Sequence, residues 1–100
     1  MTLWKCRLTV IDSKRTVSLF SGSSRWIKIL GARHIEWLEL SGQRHVCQFE
    51  TELLPVERLQ KFSRHWAKLT LLLDYENEEN RIKGLAKAKA GQIEHCEIGY

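Results

Sequence analysis

The stretch from Leu54 to Leu73 constrains this chain more than any other. Val56, Leu59, Phe62, Trp66, Leu69 and Leu73 recur at steps of three and four, which gathers them into one stripe on a helix of 3.6 residues per turn. A stripe of that size has to be buried. Pro55 suits a first helical turn because its missing N–H would have no intrahelical partner, and Glu57 suits the positive end of the helix dipole. The spacing predicts a helix over Pro55–Leu73, roughly 28 Å long, lying across one face of a small sheet.

Period-two patterning upstream supplies that sheet. Leu3–Ile11 alternates Trp4, Cys6, Leu8 and Val10 against Lys5, Arg7 and Thr9. Thr16–Phe20 resumes after the polar turn at residues 12–15, so the two read as a hairpin, and Ser21-Gly22-Ser23-Ser24 reads as a loop. Arg25–Leu30 sets Trp26, Lys28 and Leu30 against Ile27 and Ile29 as a third strand. His34–Leu40 gives a fourth, whose phase slips between Trp37 and Leu38, the mark of a β-bulge or of a strand apolar on both faces. Ser41-Gly42-Gln43 then turns the chain into a fifth strand, His45–Glu50. Such short connections favour antiparallel pairing, since parallel strands need long crossovers.

Past the long helix, the chain is acidic from Asp74 to Asn80 and basic from Arg81 to Ala90. Each charge then lies at its favoured end of a second helix starting near Glu76 and stopped by Gly91. Asn80–Ala90 also resembles the basic, alanine-rich helix that leaves the catalytic domain of serine recombinases. The resemblance covers about a tenth of the chain, nothing upstream matches that family's catalytic segment, and it implies no recombinase activity. The expected fold is α+β: an antiparallel β-meander of about five strands packed against a long amphipathic helix, followed by a shorter C-terminal helix. One hundred residues, 43% of them hydrophobic, fill one core and not two, so residues 1–100 read as a single domain.

Sixteen Lys and Arg against twelve Asp and Glu give a net charge of +4, which favours polyanionic partners. The polar side of the long helix concentrates this charge. Arg58, Lys61, Arg64 and Lys68 form a basic stripe able to meet successive phosphates of DNA or RNA, with Lys5, Arg7, Arg25 and Lys28 in support. The same cations also read as an ordinary solvated helix face. Trp26 or Trp37 would make a stacking platform for single strands if exposed, and core residues if not.

For chemistry, His34 with Glu36, His45 with Cys47 beside Arg44, and His95 with Cys96 are the residues from which a small endoribonuclease would be built, and none has a catalytic spacing. No paired ligand knuckles point to a metal, and no motif points to a cofactor. Three scattered cysteines fit reduced thiols, and with no membrane-length apolar run and no signal-peptide pattern the expectation is a cytoplasmic protein without a membrane partner. Ile27, Ile29, Leu38 and Leu40 imply a second apolar sheet face, and hence a homodimer. The expected function is therefore a non-enzymatic accessory protein binding nucleic acid, with a protein-interaction module or homodimeric adaptor as the alternative and the endoribonuclease third.

Overall fold

The computed structural model describes residues 3–11, 25–41 and 43–100. Along the chain run β1 (Trp4–Ile11), α1 (Arg25–Leu30), β2 (Arg33–Leu40), β3 (Arg44–Thr51), α2 (Pro55–His65), β4 (Thr70–Asn77), β5 (Ile82–Lys89) and β6 (Gln92–Gly99). The six strands form one antiparallel sheet in the order β2-β3-β1-β4-β5-β6. In the first six elements each helix connects two strands that have a third between them, the split β-α-β arrangement called ferredoxin-like. The β5–β6 hairpin widens that sheet beyond β4.

Alternation in β1 sets the two faces. Trp4, Cys6, Leu8 and Val10 are buried, and their partners across the sheet, Phe49 and Cys47 on β3 and Leu71, Leu73 and Tyr75 on β4, are buried with them. Both helices cover this side. Trp26 and Leu30 of α1 and Leu59 and Phe62 of α2 close the core, each at most 2% exposed. Gly31, at φ +63°, ends α1 with Ala32 N–H donating to Ile27 O at 2.9 Å, a left-handed helix cap. Thr51 Oγ1 donates to Leu30 O at 2.7 Å and accepts from Leu53 N at 3.1 Å, tying the end of α1 to the approach to α2.

Several expectations are corrected. Among the described residues there is no five-strand meander and no long helix. The predicted 55–73 helix stops at His65, and the chain enters β4 at Thr70. Leu69, Leu71 and Leu73 are buried at steps of two, with Leu72 between them more exposed, so the apparent stripe joined a helix to a strand. Phe62 is a core anchor as expected. Trp66 is only partly buried, in a non-helical backbone conformation, stacked on Phe62 at 6.4 Å.

Arg25–Leu30 is a helix, because the four-residue step from Trp26 to Leu30 outweighs an alternation too short to decide. The expected C-terminal helix, with its recombinase-like stretch, is a β-hairpin. Alanine and glycine serve there as small residues, not as helix formers: a Cβ on Gly84 would lie 2.2 Å from Tyr75 Cζ, and Ala86 and Ala88 are buried on the side of β5 that faces α2. The slip at Trp37 is a true register shift between Trp37 and Glu39. Thr16–Phe20 and the loop at residues 21–24 lie outside the described residues.

Candidate nucleic-acid interface

The two helices lie side by side on one face of the sheet, which brings most of the predicted cations into one layer. Arg25 and Lys28 are exposed on α1; Lys61 and Arg64 are exposed and Arg58 half-buried on α2. Arg58, Lys61 and Arg64 follow at three-residue steps, each rising about 4.5 Å along the axis. Lys68 is exposed in the turn after α2, and so extends the stripe without being helical.

The β5–β6 turn steadies one end of this layer. Gln60 Nε2 donates to Gly91 O at 3.1 Å, Gly91 N donates to Ser63 Oγ at 2.9 Å, and Ser63 Oγ donates to Gln60 O at 2.8 Å. Gly91 is needed twice over. Its φ of +82° is the left-handed region, and a Cβ there would meet Arg64 Cγ at 2.7 Å, so the aliphatic stem of Arg64 rests on the turn.

Lys5 and Arg7 are not part of the layer. They point to the opposite, open face of the sheet, where charges of both signs alternate across the strands. Lys5 is flanked in register by Glu50 and Glu76 and donates to Glu78 Oε1 at 3.1 Å, which raises its pKa. Lys83 meets Glu76 at 3.2 Å, His34 meets Glu50 at 3.5 Å, and Arg7 has Gln48 and Asp74 as cross-strand neighbours. A cleft of about 680 Å³ runs over this face, edged by Leu85, Cys96 and Ile98. It presents no uniform field to a polyanion.

The aromatic platform is absent too. Trp26 is buried, with Trp37 packed edge-on against it at 5.9 Å, and register places Trp4, Trp37, Phe49 and Tyr75 on the helix-covered side. The face implied by Ile27, Ile29, Leu38 and Leu40 does not exist as a unit, since Ile27 and Ile29 belong to α1 and pack partly against the core. The ground given for a dimer there is therefore gone.

The catalytic candidates do not assemble. His45 and Cys47 are buried on the helix side, His45 edge-on to Trp37 at 6.0 Å, and burial pushes the Cys47 thiol up to about 12, far from a nucleophile's range. His34 and Glu36 sit on β2 across a register shift, at the rim of the open cleft. His95 and Cys96 are adjacent on β6 and so face opposite sides of the sheet. Among the described residues no cluster of three or more His, Cys, Asp or Glu side chains could hold a metal ion, and no helix is long and apolar enough to cross a membrane.

One arrangement escaped sequence reasoning. Tyr75 packs edge-on to Trp4 at 5.7 Å, lies across Gly84, and donates its hydroxyl to Glu97 Oε1 at 3.0 Å. Burial and then that hydrogen bond push its pKa up to about 12. The one signal for it was a glycine in a run that alternates, which marks close approach by another group.

No protein-family model matches the sequence, and no curated protein matches it. The fold has a solved counterpart. The crystal structure of protein api92 from Yersinia pseudotuberculosis, carrying the family model DUF1281, superposes with a TM-score of 0.57 at 16% sequence identity. The match covers 77% of this chain and 30% of that one, so the chain spans less than a third of that protein's length. At this identity the likeness concerns the fold alone.

Proposed function

We propose that this chain is a non-enzymatic accessory protein that binds nucleic acid through the outward surface of its two-helix layer. The supporting observation is the segregation of charge between the faces. Arg25, Lys28, Arg58, Lys61, Arg64 and Lys68 stand in α1, α2 and the turn after it, with Glu57 as the one acid there. The other described residues hold eight Lys and Arg against ten Asp and Glu. A surface of this kind attracts phosphates whatever their sequence, through counterion release. Lys5 and Arg7, held among acids on the far face, contribute little to it.

Fluorescence anisotropy with labelled DNA and RNA across a salt series tests this. Lys61→Glu with Arg64→Glu should weaken binding and lower the slope of log affinity against log salt by about 0.7–0.9 for each lost phosphate contact. Lys83→Glu with Lys87→Glu on the other face should change little. No binding at low salt, or equal losses from both pairs, would count against the helix layer. The result would then favour a protein-interaction module using the open cleft, whose ladder of opposite charges suits a partner of mixed charge.

A further inference from the structure

The two edges of the sheet are not alike. At β2 the register with β3 shifts twice, between Arg33 and Glu36 and between Trp37 and Glu39, and His34 has a φ of +55°. A broken edge of this kind is a poor template for another strand. At β6 the register with β5 is unbroken from Ile82↔Gly99 to Lys89↔Gln92, and the strand contains no proline, lysine or arginine. Of the devices that usually blunt an edge, proline, lysine and bulges are missing there, and its charge is carried by Glu94 and Glu97 alone. Almost the whole strand is exposed on both faces.

The direction of its free backbone groups follows from the turn. Ala90 and Gly91, at φ +53° and +82°, form a two-residue hairpin turn with two left-handed residues, which makes Lys89 and Gln92 a hydrogen-bonded pair. Such pairs alternate along an antiparallel ladder. At the far end Tyr100 N donates to Arg81 O at 2.8 Å, in the same alternation. Gln92, Glu94, Cys96 and Ile98 therefore bond to β5, while Ile93, His95, Glu97 and Gly99 send N–H and C=O outward. Among the described residues nothing pairs with them.

We propose that this edge pairs antiparallel with β6 of a second copy, about a two-fold axis through Cys96. In that register His95 lies opposite the partner's Glu97, and Glu97 opposite the partner's His95, so the two central outward-bonding positions meet a chemical complement, while Glu94 faces the partner's Ile98. Cys96 meets the partner's Cys96 in a pair without mutual hydrogen bonds, the closer kind. The neighbouring registers that keep the faces matched are worse. Centring on Glu94 or Glu97 opposes two carboxylates, centring on His95 opposes two imidazoles, and none of the three forms a His–Glu pair. A two-fold axis normal to the sheet keeps both helix layers on one side, so the pair would present two cationic layers to one ligand. The strand pairing itself does not rest on nucleic-acid binding.

Cys96 is the useful reporter, because Cys6 and Cys47 are buried with thiols pushed up to about 12. Light scattering should give twice the 11.7 kDa chain mass at tens of micromolar, and a short bismaleimide should join Cys96 to Cys96. His95→Pro removes an outward N–H and leaves the bonds to β5 alone, so it should hold the protein at 11.7 kDa with unchanged circular dichroism. His95→Glu and Glu97→His supply the test of register if the proline variant unfolds. Each alone sets like groups opposite one another and should weaken pairing by about fivefold or more, whereas mixing the two variants restores His–Glu pairs and should restore the dimer. A monomer at high concentration, a dimer indifferent to these changes, or a dimer without the Cys96 cross-link would overturn the proposal.

Discussion

The two faces of this sheet are built from the same strands and do opposite things. On the helix side, side chains from β1, β3 and β4 vanish into a core with Trp26, Leu59 and Phe62, and the cations of the helices are displaced outward into one layer. On the open side, Lys5, Arg7, Glu50, Asp74, Glu76 and Lys83 neutralise one another in place. Stability therefore belongs to one face and balanced charge to the other. The net charge of +4 says nothing of this split, because it averages a strongly cationic layer with a slightly acidic remainder.

The sharpest way to break the comparison is to mutate both faces alike. Phe62→Ala should cost about 3–5 kcal/mol, since the ring is fully buried beneath α2, whereas Arg7→Ala should stay within about 0.5 kcal/mol. Urea unfolding of the two variants measures both, and similar costs would mean that the open face is itself part of a core. Gly84→Ala asks how far tight packing extends along the hairpin. The new methyl would collide with Tyr75 and displace its bond to Glu97, at a cost of about 1–3 kcal/mol by the same measurement.

A smaller, condition-bound effect comes from groups that burial keeps protonated. Tyr75 is raised from 10.0 to about 12, and Cys6 and Cys47 from 9.0 to about 12. Each folded value lies above the unfolded one, so the folded chain binds more protons in that interval, and their stabilisation is complete below pH 9 and lost as pH rises toward 12. Denaturant midpoints should fall steadily across that window. Tyr75→Phe should flatten the part above pH 10, and a profile level to pH 12 would show that these groups are open to water.

How much of this could be read from the chain varied by element, for physical reasons. The alternation of β1, the bulge in β2, the start of α2 at Pro55 and the burial of Phe62 follow from local pattern, because there the neighbouring residues decide. Arg58, Lys61 and Arg64 were legible as a stripe for the same reason. Lys5 and Arg7 were legible as standing on the side of β1 opposite Trp4, and the structure separates them from the helix cations because both helices cover the Trp4 side.

Leu69 and Leu73 fit a helical step and a strand step equally well, and Trp66, leaving the helical conformation, decides between them. The Lys and Ala run of β5 has strong helix propensity of its own. It is a strand because the ring of Tyr75 needs the bare backbone of Gly84, and because a long unbroken ladder on β4 outweighs a preference worth only tenths of a kcal/mol per residue. The sequence by itself determined what must be buried and where the charges cluster. Strand order, the side on which the helices lie, and so which cations share a surface were decided by the tertiary structure, since they arise from contacts between residues far apart in the chain that no local period encodes.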